Sequence, residues 1–392
     1  MKPSHKKTNR ESCFLGLCFS LTAFLILSLS PPSRAQTKPD WKQRWEKVLS
    51  EAKKEGKVVV WGPPGELIRD AMTQGFSKAF PDIPIEYSGG RGGEQATRMK
   101  AERDGGIHSV DILISGTTTA IVQMKPMKAL DPIEPVLILP EVTDLKYWRH
   151  NMLEFSDAVT RYNLVFVNQV KNPLVYNLQQ VKVEEVDELY ELLDPKWKGK
   201  FVINDPLPSG AGNVTFRWIW RVLGPEKATD YYRKIRASAG VVDRDQRRQI
   251  EWVAQGKYAF LVAPSDGVMR QLLKRGLKFG VLGEFKEHGA YITASFGSVM
   301  LINKRPRPNA ATVFVNWLLT KDGQTAYSTA MTATSRRVDV STDHLPADVI
   351  PKPGKIFSDR PKPGDRYWLS HSEENVKRSP EEDRILKELF GR

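Results

Sequence analysis

The chain has 392 residues, 40% hydrophobic and 27% charged, with Lys+Arg 59 against Asp+Glu 46 and a formal net charge of +13. That length suits two ordinary domains, and the apolar share is enough to build cores, which excludes wholesale disorder. Only two cysteines are present, which excludes a disulfide scaffold and a cysteine-built metal site.

The first 35 residues read as an address. Lys2, Lys6, Lys7 and Arg10 precede an apolar run from Cys13 to Leu29, which Pro31 and Pro32 break. Ser33-Arg34-Ala35 then places small residues for cleavage after Ala35. This is the pattern of a secretory signal peptide, and a retained anchor is the alternative. The run is short of the ~20 residues a membrane span needs. Cys13 and Cys18 both leave with it, so the exported, periplasmic chain carries no thiol.

Beyond it, Trp41, Trp45, Val48, Leu49 and Ala52 fall at helical spacing, and Gly56 stops that helix. Val58–Trp61 predicts a strand, 62–65 a loop, Leu67–Ala79 a helix and Ile83–Tyr87 a strand. A glycine loop, 88–93, leads to a helix over about 94–104. Asp111–Ile114 predicts a third strand, and 115–119 opens a further helix. Residues 131–157 are rich in proline and weakly periodic, which marks a boundary. Strands follow at Leu164–Val167, Phe201–Ile203, Tyr258–Val262 and Phe279–Leu282, with helices over 184–193, 214–223, 225–236, 245–255 and 266–275. Gly297–Ile302 is a further strand, and Pro308-Asn309 leads a helix. From about 335 the chain turns irregular, with a last helix over 380–390. Apolar strands alternating with amphipathic helices predict an α/β fold with a mostly parallel sheet.

Ligands of open α/β sheets bind beyond the carboxyl ends of the strands. Loops 62–65, 88–93, 115–119, 204–213 and 263–267 stand at such ends, and each precedes a predicted helix. A helix N-terminus offers unpaired N–H groups and the positive end of the dipole. The candidate ligand-binding residues are therefore Gly62, Pro63, Gly89, Gly90, Arg91, Ser115, Gly116, Thr117, Ser209, Gly210, Asn213, Ser265 and Asp266. The 88–93 loop lacks both the P-loop ending and the dinucleotide spacing. The six histidines are scattered, and no metalloprotease or nucleophile-elbow motif occurs. Catalytic residues, a cofactor and a resident metal are not expected. The basic charge invites a nucleic-acid reading, but no binding motif supports it. An exported enzyme is the less favoured alternative.

Segments 51–62, 76–94, 98–116, 192–212, 256–266 and 296–324 carry a resemblance. They include "EAKKEGKVVVWG", "LLDPKWKGKFVINDPLPSGAG", "GKYAFLVAPSD" and "FGSVMLINKRPRPNAATVFVNWLLTKDGQ". With these the chain resembles the extracellular solute-binding proteins of bacterial ABC importers, in the branch that includes the ferric-iron-binding proteins. The resemblance implies the type II periplasmic-binding-protein fold, two α/β lobes joined by two crossings. The first lobe would take 41–150 and 296–340, the second 151–295, with 341–392 an irregular C-terminal segment. A monomer would hold a small solute, anionic or zwitterionic, in the interlobe cleft and deliver it to an inner-membrane permease with its ATPase. Iron-binding relatives use adjacent tyrosines from the second lobe. The matching position here is Pro264-Ser265-Asp266, and the one tandem pair, Tyr231-Tyr232, falls on a predicted helix. Ferric-ion binding is thus the alternative rather than the expectation.

Overall fold

The computed structural model describes residues 40–208, 210–352, 356–358 and 366–391. The expected signal segment and its cleavage point lie outside these residues, as does Ser209.

The first half alternates as expected. Helix α1 (Trp41–Glu55) begins where the Asp40 carboxylate accepts the Lys42 N–H and stops at Gly56, whose φ of 77° suits glycine. Then come β1 (Val58–Gly62), α2 (Glu66–Ala79), β2 (Ile85–Gly89), α3 (Gly92–Asp104) and β3 (Ile112–Ser115). A π-helical turn, Thr119–Met124, replaces the α-helix expected after β3. Strand β4 (Leu130–Asp131), the single turn α4 (Pro140–Thr143), β5 (Glu154–Phe155) and β6 (Asn163–Val165) follow.

The second half supplies β7 (Gln169–Lys171), β8 (Leu174–Tyr176), β9 (Phe201–Asn204), α5 (Ala211–Leu223), α6 (Pro225–Ser238), β10 (Val241–Asp243) and α7 (Gln246–Ala254). Next are β11 (Phe260–Val262), α8 (Asp266–Lys274), β12 (Gly280–Leu282), β13 (Tyr291–Thr293), β14 (Ser298–Ile302), α9 (Pro308–Leu319) and α10 (Lys321–Met331). The C-terminal segment adds β15 (Ile356–Ser358), β16 (Arg366–Leu369) and α11 (Pro380–Phe390).

Two principal sheets result. The first runs β2-β1-β3-β14-β6-β5, with β4 also on β14; the second runs β10-β9-β11-β8-β12. Both are mixed rather than mostly parallel. In the first, β1 pairs in parallel with β2 and β3, whereas β14 runs antiparallel to β3, β4 and β6. The physical reason is connectivity: β14 returns from the other lobe and enters the sheet from the opposite end.

Each sheet is buried on both faces, which is why its strands read as continuous apolar runs. Val58, Val60, Ile112 and Ile114 face one core of the first sheet, while Trp61, Leu113, Met300 and Ile302 face another. In the second, Phe201, Ile203, Phe260 and Val262 face one core, and Val175, Val202 and Leu261 the other.

The sequence boundary near 150 falls short of where the chain changes sheets. Both β5 and β6 pair in the first sheet, so the chain leaves it only after Val165. It crosses through 166–168 and returns through 294–297. The Phe166 and Val167 amides both donate to the Gly297 carbonyl, at 2.9 and 3.2 Å. A third segment lies alongside: Asn168 N–H donates to Thr334 O and Arg336 N–H to Phe166 O. Past the crossing, β7 and β13 join β15 and β16 in a small sheet of their own. Its Tyr291 and Trp368 belong to the second lobe's core.

Candidate functional site

Three loops of the first lobe converge. The Gly62 carbonyl accepts from Gly90 N–H at 2.9 Å and from Gln95 Nε2 at 3.0 Å. Tyr87 Oη donates to Pro63 O at 2.8 Å, and burial pushes that phenol's pKa well up. A Cβ on Gly89 would stand 3.1 Å from Pro63 O, so glycine allows the two loops to touch. The start of α3 sits against the third loop: a Cβ on Gly92 would meet Ser115 Oγ at 2.3 Å and Thr119 Oγ1 at 2.4 Å. Ser115 is fully buried, its carbonyl accepts Ser298 Oγ at 2.8 Å, and its own hydroxyl has no hydrogen-bond partner. Thr117 is buried beside it, and Gly116 abuts the Ser295 carbonyl of the return crossing.

The second lobe brings two loops together. Asn204 Nδ2 donates to Ala263 O at 2.8 Å. Gly212, in the first turn of α5, lies against the carbonyls of Asn204 and Asp205, where a Cβ would stand at 2.4 and 2.5 Å. Asp205 is buried, and its carboxylate takes Leu207 N–H at 2.9 Å and Arg244 Nε at 2.6 Å.

The sequence candidates are not equally placed. Gly62, Pro63, Gly89, Gly90, Ser115, Gly116 and Thr117 lie within the first-lobe group. Arg91 extends into solvent, with 81% of its side chain exposed and Glu94 4.0 Å away. Gly210 is the residue before α5, with a φ of 146° that glycine favours. Asn213 sits inside α5 rather than capping it, and its Oδ1 accepts from Arg217 Nε at 3.1 Å. Ser265 precedes α8 and makes no side-chain cap. Asp266 is a correction: its carboxylate is buried against the Lys171 ammonium, which also donates to Pro264 O. Burial pushes the Asp266 pKa up and the Lys171 pKa down, against their mutual attraction. That pair fastens β7 to the start of α8 and leaves no free carboxylate for a guest.

Sequence reasoning missed Asn204, Asp205 and Lys171. Strand-end Asn204 and Asp205 carried a signal, being polar residues directly after an apolar run. Nothing pointed to Arg378, whose guanidinium reaches from the C-terminal segment to the carbonyls of Pro206 and Leu207.

The helices that open at these loops share a property. None of α2, α3, the Thr119–Met124 turn, α5 and α8 has a side-chain cap; their preceding residues are Gly65, Arg91, Thr118, Gly210 and Ser265. Other long helices are served by side chains. Asp40, Asp245, Thr320 and Ser379 cap α1, α7, α10 and α11. The Glu55 carboxylate accepts from the first N–H groups of α9, those of Asn309 and Ala310. The exception is α6, which starts at Pro225 immediately after α5. Uncapped N-termini keep their N–H donors and positive potential free for an anion.

Among the described residues, one grouping has metal-ligand spacing: Glu188, Glu287 and His288, with ligand atoms within 4.8 Å of one another. It lies outside both loop groups, and Glu188 is already bonded to Glu287 N–H and His288 Nδ1. Tyr231 and Tyr232 are buried in the second-lobe core, where Tyr232 Oη donates to Phe216 O.

The fold has counterparts among known proteins. The family model for bacterial extracellular solute-binding proteins matches residues 62–325. Iron-bound HitA from Pseudomonas aeruginosa is similar in structure, with a TM-score of 0.61 at 18% identity over 85% of this chain and 99% of that one. The periplasmic binding protein AfuA from Actinobacillus pleuropneumoniae, with fructose-6-phosphate bound, gives 0.62 at 16% identity over 85% and 97%. FutA from Trichodesmium, in complex with iron and citrate, gives 0.61 at 16% over 86% and 99%. A search of curated protein sequences gave no match.

Proposed function

Because the chain belongs to the bacterial extracellular solute-binding proteins, we propose that it takes up a small solute bearing oxyanion groups between its lobes and passes it to an ABC permease. The carrying observation is the run of uncapped helices at the strand ends of both lobes, against capped helices elsewhere. Main-chain N–H groups there would hold carboxylate or phosphate oxygens, aided by the hydroxyls of Thr117 and Ser265. Closure by a hinge would bury the solute's polar groups against these donors. The work is done by a monomer in the periplasm, and the solute is released chemically unchanged.

Two neighbours carry ligands of that chemistry, fructose-6-phosphate in one and citrate with iron in the other. A bare ferric ion needs anionic oxygen ligands. In the described loops Asp205 is neutralised by Arg244 and Asp266 by Lys171, and no tyrosine pair stands there. An anionic iron chelate, by contrast, would bind through its own carboxylates. Calorimetry and thermal shift with phosphate esters, polycarboxylates, amines, ferric ion and ferric citrate test the proposal. Oxyanions should raise Tm, with about 2.7 kcal/mol of stabilisation at a hundredfold excess over Kd. Binding of amines alone, or a visible tyrosinate-iron band with ferric ion, would overturn it.

A further inference from the structure

The C-terminal segment begins where the family match has already ended, and it touches both lobes in turn. On the first lobe, the His371 ring bonds the Glu154 carboxylate, which also receives the Arg336 guanidinium and, at 3.2 Å, Asn168 Nδ2. Glu373 N–H donates to Ser156 O at 2.7 Å, and the Glu373 carboxylate takes the Lys125 ammonium at 2.7 and 2.9 Å. On the second lobe, Arg378 donates to Pro206 O and Leu207 O within the loop that leads into α5. Helix α11 then buries Ile385, Leu386 and Phe390 in the core that holds α5 and α6. Upstream, β16 pairs with β13, and the Ser370 amide donates to Ile292 O at 3.1 Å.

Only four residues lie between Glu373 and Arg378, so the two anchors are five Cα–Cα steps apart. A fully extended chain of that length reaches about 17 Å. Lobes held at both points cannot swing apart by more than this tether allows. We propose that residues 371–378 form a strap that fixes the opening between the lobes, with Lys125–Glu373 as the clasp on the first lobe and Arg378 as the clasp on the second-lobe ligand loop. The Lys125–Glu373 clasp is partly exposed, whereas Arg378 is mostly buried beside Glu382, so the first clasp is the contact a hinge motion would break first. This inference rests on the two-lobed fold and does not depend on which solute is bound.

The test uses the full chain without added solute. With Cys13→Ser and Cys18→Ser removing both native thiols, spin labels go on Lys100→Cys and Lys227→Cys, exposed residues on α3 and α6. Pulsed dipolar spectroscopy then reads the distance between lobes. With the native strap the distribution should be single and narrow. Glu373→Gln with Arg378→Gln should broaden it and move its mean outward by about 5 Å or more, with the near-ultraviolet circular dichroism unchanged. Lys125→Glu alone should broaden it too, and Lys125→Glu with Glu373→Lys should restore it. A folded double variant with an unaltered distribution overturns the strap. So does a broadening that the charge swap fails to reverse, since that marks general loosening.

Discussion

At the scale of single residues, the second lobe depends on an ion pair that the sequence presents as a loop acid and a strand lysine. Lys171 and Asp266 lie together in the interior, and Arg270 from the same helix adds positive potential near them. Removing one partner from such a pair strands the other charge in a medium that cannot solvate it. Lys171→Met should therefore cost about 3–5 kcal/mol. The double change Lys171→Met with Asp266→Leu should recover most of it, because an apolar pair carries no desolvation penalty. Urea denaturation of the two variants checks this, and a double variant as unstable as the single one would refute the account.

At the scale of elements, side-chain caps separate α1, α7, α10 and α11 from the uncapped helices of the proposed binding loops. Installing a cap on one of the latter should exchange binding for stability. Ser265 has a φ of −83° and ψ of 117°, which suits a capping residue. Ser265→Asp should stabilise the protein by about 0.5–1 kcal/mol through the α8 N–H groups and dipole. The same carboxylate should weaken oxyanion binding, by about tenfold for 1.4 kcal/mol of lost attraction. A paired thermal-shift and calorimetric measurement reads both. Most helices and strands were legible because burial on one face imposes a period. The failures have local causes. Val183, Val186, Leu189 and Leu192 are spaced by three, which suits the 3₁₀ turns Val183–Glu185 and Tyr190–Leu193 rather than one α-helix over 184–193. Helix α10 was missed because Thr320-Lys321-Asp322-Gly323 reads as a turn. In fact Thr320 Oγ1 accepts the Gly323 N–H at 3.1 Å and starts a helix. The candidate loops were legible as strand ends, but the pairing of Asp266 was not, since its partner Lys171 lies 95 positions away.

At the scale of the whole molecule, the second lobe's core is completed by the chain's last helix. Glu382 of α11 is buried beside Arg217 and Arg378, and burial, opposed by those arginines, pushes its pKa from 4.5 up to about 7. The folded protein therefore holds this proton more tightly than the unfolded chain. The stabilisation is complete below about pH 4.5 and is lost as pH rises through about 7. Its size is about 3 kcal/mol, from 1.36 kcal/mol per pKa unit. Glu382→Gln should flatten the stability profile between pH 5 and 8 and be the more stable protein at the upper end. Urea midpoints across that range decide it, and an unchanged slope would count against a raised Glu382.

The position of β14 has a consequence for biogenesis. This strand sits between β3 and β6 in the first sheet, yet it is made only after nearly all of the second lobe. The second lobe in turn awaits α11 at the far end of the chain. The first sheet therefore cannot close before β14 has been made, nor the second core before α11 has. Such long-range pairing folds slowly, so each core stays unfinished long after its first strands exist.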